Sequence, residues 1–120
     1  RLVGMHLNSP ANKSMFEIAA VNSDNLTVLT RNTKVLVRRE AFEQTLEYLI
    51  AHKHIGKANP VIIGASSKPD KCSDLCMAAR VDNKGKPGPR VITYVLPILE
   101  ACGLAQIGRN DRPSTTWLLP

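Results

Sequence analysis

The chain has 120 residues, 43% of them hydrophobic but only 4% aromatic, and carries a formal net charge of +6. That suffices for one domain with a core of Leu, Ile and Val. No run approaches the roughly 18 apolar residues a membrane helix needs; the cationic excess favours polyanions, nucleic acid first and anionic membrane surfaces second, and no membrane partner is expected. The excess is not confined to a tail, because each half of the chain holds eight Lys/Arg and five Asp/Glu.

Arg1 to Gly4 read as tag residues ahead of Met5, and residues 1–14 as that remnant plus a loose polar lead-in. Phe16 to Val21, Leu26 to Thr30 and Val35 to Arg38 are three short apolar, β-branched runs. Asn22-Ser-Asp-Asn25 and Arg31-Asn-Thr-Lys34 separate them, so residues 15–38 predict a small antiparallel β meander. Alone it would be marginal and needs helices over its apolar face.

Glu40 to His54 predicts a helix with Phe42, Leu46, Leu49 and Ile50 on its inward stripe, ended by Gly56. Asn59 to Ser66 predicts a very short strand, and Ser73 to Val81 a second helix with Leu75, Cys76 and Ala79 inward. Asp82 to Pro89 is a Gly/Pro-rich turn. For Arg90 to Cys102 the stripe Val91, Ile92, Val95, Ile98, Leu99, Cys102 predicts a third helix capped by Gly103. Pro97 lies inside it, and Arg90 to Leu96 also suits a strand with a helix opening at the proline. The persistence of the stripe across Pro97 favours the continuous helix. Leu104 to Ile107 and Ser114 to Leu119 predict a hairpin around the turn Gly108 to Pro113.

The order from Glu40 to Leu119, with Ile98-Leu-Glu-Ala-Cys-Gly-Leu-Ala-Gln-Ile107 followed by an Arg/Asn-tipped hairpin, resembles the winged-helix superfamily. The fold class expected is therefore α+β: a meander packed on a three-helix winged-helix domain over residues 39–120, with the C-terminal hairpin as its wing. The resemblance implies a DNA-binding module, a small regulator of transcription or the recognition part of a larger protein. Double-stranded DNA is then the partner, and a homodimer is compatible with it.

The resemblance also implies residue roles. Arg90, Thr93 and Tyr94, with Pro97 beside them, would face outward on the third helix, where N-terminal residues reach base edges in the major groove. Lys84 and Lys86 on the preceding turn would meet phosphates, and Arg109, Asn110 and Arg112 on the wing would meet the backbone or minor groove. Arg31, Lys34, Arg38 and Arg39 form a secondary basic patch, which suits either an extended footprint or a cation-guarded sheet edge.

Nothing in the residues composes a catalytic set. Cys72 and Cys76 are four apart rather than in a two-residue knuckle, and no His lies near them, so free thiols are expected and no metal or other cofactor. The odd count of three cysteines and the lack of an apolar leader suit a cytoplasmic protein. His6, His52 and His54 have no nucleophile or carboxylate at a telling distance, and Asp70 and Asp74 match a helix N-terminus. Two readings compete with DNA binding: a protein–protein adaptor on the same fold, and a non-catalytic fragment of a nuclease or mobile-DNA enzyme.

Overall fold

The computed structural model describes residues 2–120. The N-terminal third is an antiparallel sheet of four strands, β1 (His6–Asn8), β2 (Met15–Val21), β3 (Asn25–Leu29) and β4 (Lys34–Arg38), in that spatial order. Side-chain oxygens close its turns. Asn22 Oδ1 accepts from the N–H groups of Asp24 (2.8 Å) and Asn25 (2.9 Å), and Thr30 Oγ1 accepts from Thr33 N–H (3.1 Å). The alternation sends Phe16, Ile18, Leu26, Val28 and Val37 inward, while Met15 and Leu36 stay exposed on the other face. The β1 strand corrects the expectation of a loose lead-in. His6 and Asn8 are polar, yet they pair with Glu17 and Met15 because Leu7 between them packs on the core.

The β4 strand runs directly into α1 (Arg39–Ala51), whose buried residues are Ala41, Thr45 and Leu49. Thr45 is tolerated inside because its hydroxyl donates to the Ala41 carbonyl at 2.7 Å. Phe42 and Leu46 flank this stripe half-buried, but Ile50 is 57% exposed, contrary to the expected stripe. Ile50 lies about 100° round the helix from Leu49, off the buried stripe of Ala41, Thr45 and Leu49, and the helix also stops early. Lys53 adopts φ 59°, its N–H donates to Ile50 and that of His54 to Leu49, a left-handed cap built without glycine. The helix therefore ends before Gly56.

After α1 come β5 (Val61–Ile62), a 3-10 turn over Pro69–Lys71, and α2 (Asp74–Arg80). Ser73 caps α2 by accepting from Cys76 N–H at 3.0 Å, and its hydroxyl donates to the Ile63 carbonyl at 2.5 Å. This pair of hydrogen bonds clamps α2 to the end of β5. Gly64 makes the clamp possible, with φ 57° and Ser73 Cβ only 2.7 Å from where a methyl group would stand. Replacing Gly64 by Ala is expected to cost about 2 kcal/mol from the left-handed backbone alone, before the clash with Ser73. A urea midpoint equal to that of the parent protein would contradict this.

The third helix, α3 (Ile92–Ala101), is continuous through Pro97. It buries Ile92, Val95, Leu96, Ile98 and Leu99, and Gly103 at φ 79° caps it through its N–H to Glu100. It starts two residues later than expected, and Cys102 is exposed rather than inward. Then β6 (Ala105–Gly108) and β7 (Thr115–Leu118) form the C-terminal hairpin, which β5 extends to a second antiparallel sheet in the order β5-β7-β6. One apolar core joins the inner face of the first sheet, all three helices and the second sheet. The protein is thus α+β, a meander on a three-helix body closed by a hairpin. Among the described residues no helix is long and apolar enough to cross a membrane.

Candidate nucleic-acid interface

The turn between α2 and α3 is built around Asp82. Its Oδ1 accepts from the N–H groups of Lys84 (2.8 Å) and Lys86 (2.9 Å), and Val81 bridges to Pro87 across the turn. The N–H groups of Lys86 and Lys84 hold the Asp82 carboxyl below its ordinary value, since they bond the charged form. Both lysine side chains stand exposed on this ordered turn.

Arg80 fixes the same turn from below, a role not expected from the sequence. It is 5% exposed at the end of α2. Its Nε donates to Gly88 O (2.9 Å), Nη1 to Ser66 O (2.7 Å) and Nη2 to Ser67 O (3.0 Å), while Gly88 N–H returns a bond to the Arg80 carbonyl at 2.7 Å. One guanidinium therefore ties the segment before α2 to the segment before α3. Its position four residues after the buried Cys76 was the available signal, because that spacing puts both on one helical face.

Arg90 is exposed just ahead of α3. The rest of the expected outward face is largely covered. Pro97 is fully buried, correcting its outward placement, and Thr93 and Tyr94 are half-buried. Tyr94 meets Phe16 of β2 edge to face, with ring centroids 5.2 Å apart at 86°. Thr93 Oγ1 is buried with no hydrogen-bond partner among the described residues. The physical reason is the meander: β1 lies against α3, and the β1–β2 turn sits beside the N-terminal part of the helix.

The same turn captures Arg109. Its Nη2 pairs with Glu100 Oε1 at 2.6 Å, and its Nη1 donates to Ser9 O at 2.6 Å. Arg109 thus locks the hairpin to α3 and to the meander, while Asn110 and Arg112 at the hairpin tip remain exposed. Of the secondary patch, Arg38 donates to Val81 O (3.1 Å) and Arg39 pairs with Glu43 (3.6 Å), whereas Arg31 and Lys34 are exposed. The four residues do not form one free surface.

A cavity of about 520 Å³ opens where these elements converge. Arg90 and Tyr94 come from α3 and its entry, Arg112 from the hairpin tip, Lys13 from the β1–β2 turn and Gly64 from the end of β5. Among the described residues no carboxylate forms an ion pair with Lys13, Arg90 or Arg112.

None of the three cysteines lines this cavity. Cys76 is buried, which pushes its thiol up, Cys72 is half-buried and Cys102 exposed, all with free thiols. No group of three His, Cys, Asp or Glu among the described residues is placed to hold a metal ion. His52 stacks on Tyr48 at the end of α1, centroids 4.1 Å apart, and its ring Nδ1 contacts the Tyr48 carbonyl.

No protein family, curated protein or solved structure matches this chain.

Proposed function

We propose that the chain binds nucleic acid, duplex DNA in the first place, through the α2–α3 turn, the start of α3 and the hairpin tip. The observation that carries the reading is how the cations divide. Among the described residues Arg38, Arg39, Arg80 and Arg109 have internal partners; of the exposed cations without one, Lys84, Lys86, Arg90 and Arg112 stand on turns around one helix, while Arg31, Lys34, Lys53, Lys57, Lys68 and Lys71 are spread over other segments. The order helix, strand, helix, helix, hairpin, with a three-stranded sheet ordered β5-β7-β6, supports a winged-helix arrangement and this face as its binding side.

The covered face of α3 changes the mode from the one expected of an open recognition helix. With Tyr94 half-buried and Pro97 buried, base contact falls to Arg90, and phosphate contact supplies most of the affinity. A regulator or the recognition part of a larger cytoplasmic protein would use such a module.

The test is affinity for short DNA duplexes at about 50 and 200 mM salt. A steep salt dependence is expected, which Lys84→Ala with Lys86→Ala flattens by about 0.9 in log–log slope for each phosphate no longer neutralised, alike for all sequences. Arg90→Ala should cost about 1–3 kcal/mol and relax the preference at one base pair. Absence of duplex binding at the lower salt would sink the proposal.

A further inference from the structure

We infer that the cavity between the β1–β2 turn, the end of β5, α3 and the hairpin tip is a binding site for a phosphorylated, nucleotide-sized ligand. Three cations from three distant segments, Lys13, Arg90 and Arg112, share its wall. None is neutralised by an ion pair among the described residues. Like charges in excess on one wall repel one another, and an anion bound among them offsets that repulsion. The wall also carries one carboxylate, Asp111, whose Oδ2 accepts from the Thr115 hydroxyl. Three cations against one carboxylate leave the site positive.

The rest of the wall fits the remainder of such a ligand. Tyr94, Ile63 and Pro113 supply apolar and aromatic surface, and Thr93, whose hydroxyl has no partner among the described residues, lies on the same wall. A volume of about 520 Å³ exceeds what a bare phosphate fills and lies in the usual range of small-molecule sites. The cavity is also built rather than incidental. The β1–β2 turn that brings Lys13 is held by Arg109 through Ser9 O, and by Ser9 Oγ accepting from the N–H groups of Lys13 and Ser14, both at 3.2 Å.

The phosphate has two sources, a free nucleotide or a nucleotide of a bound nucleic-acid strand. The inference rests on the proposed function only for the second source. The experiment titrates the protein with adenosine 5′-monophosphate, with inorganic phosphate and with a short DNA duplex. Each titration is repeated on Lys13→Ala/Arg112→Ala and on a charge-matched control, Lys57→Ala/Lys71→Ala, whose residues do not line the cavity, and the duplex titration also on Lys13→Ala and Lys57→Ala alone. All four residues are exposed, so the variants should melt like the parent.

Saturable binding of the mononucleotide, tighter than that of inorganic phosphate and weakened about tenfold or more only in the cavity variant, establishes a free-nucleotide site. Duplex binding that Lys13→Ala alone, which lies outside the proposed duplex interface, weakens at least about tenfold more than Lys57→Ala does, without mononucleotide binding, establishes the strand as the source. If mononucleotide and phosphate leave the protein unchanged and Lys13→Ala and Lys57→Ala bind duplex equally, the site does not exist, although DNA binding then stands. Mononucleotide binding without duplex binding would retain the site and remove the proposed function.

Discussion

Replacing Arg80 by Ala is expected to lower stability by about 3 kcal/mol, a large share of the roughly 5–15 kcal/mol typical of a domain. The guanidinium is nearly sealed from solvent and donates to three carbonyls, so its removal orphans acceptors on both sides of α2. Each such bond to a charged donor is worth about 1.5–3 kcal/mol, but the three do not add fully. Ser67 is exposed, and Ser66 and Gly88 are only half-buried, so water can replace part of what is removed. Lysine should recover little, since one ammonium group cannot span three acceptors set out for a planar fork. On the proposed function, the variant should also bind duplex less tightly per folded molecule, because the turn holding Lys84 and Lys86 loses its anchor at Gly88. Urea denaturation of the Ala, Lys and Met variants measures the first effect, and duplex affinity of the folded fraction the second. A loss under about 1 kcal/mol for Arg80→Ala would show that solvent substitutes for the staple.

Local grammar made much of this fold readable. The turns at Asn22 and Thr30 form because short polar side chains satisfy backbone N–H groups where strands must reverse. Gly103 ends α3 where the apolar stripe runs out, and the stripe itself carried the helix through Pro97. The failures share a cause: they depend on contacts between segments far apart in the chain, or on a backbone state with no residue signal. A three-residue strand such as β1 has no periodicity to detect, and it exists because β2 offers an edge. The cap at Lys53 needs a left-handed lysine, and no residue preference points to it. Arg80 shares a helical face with Cys76, but nothing local shows that the carbonyls of Ser66 and Ser67 lie below it.

The candidate site divides in the same way. Lys84, Lys86, Arg90 and Arg112 lie on turns, where local sequence decides exposure, and they are exposed as expected. Tyr94 and Arg109 were expected to stand free toward DNA; both instead touch the meander, and Tyr94 also lines the cavity. Arg109 finds Ser9 a hundred positions away, which no local pattern announces. The meander is therefore part of the site's geometry: it half-covers Tyr94, ties down Arg109 and contributes Lys13 to the cavity wall.

That coupling sets the second large expectation. Phe16→Ala should destabilise the whole protein by about 3–5 kcal/mol, the usual cost of emptying a phenylalanine site in a packed core. Phe16 is 3% exposed and its ring is the partner of Tyr94, so truncation opens the seam between the first sheet and α3 on both sides. If residues 15–38 and 39–120 are one cooperative unit, circular dichroism of the helices and fluorescence of Trp117, buried on β7, should move together in urea. The midpoint falls and the slope keeps its value. A meander that merely rests on a self-sufficient helical body behaves differently: the helices would keep the parent midpoint while the strands melt first. In that case Tyr94 would be freed, and the face of α3 would open to a duplex as an uncovered recognition helix does. Measuring duplex affinity on the same variant separates the two. Integration predicts that binding falls with stability, because Lys13 and the Arg109 anchor are displaced together; a gain in affinity on removing Phe16 would identify the meander as a cover over the binding helix.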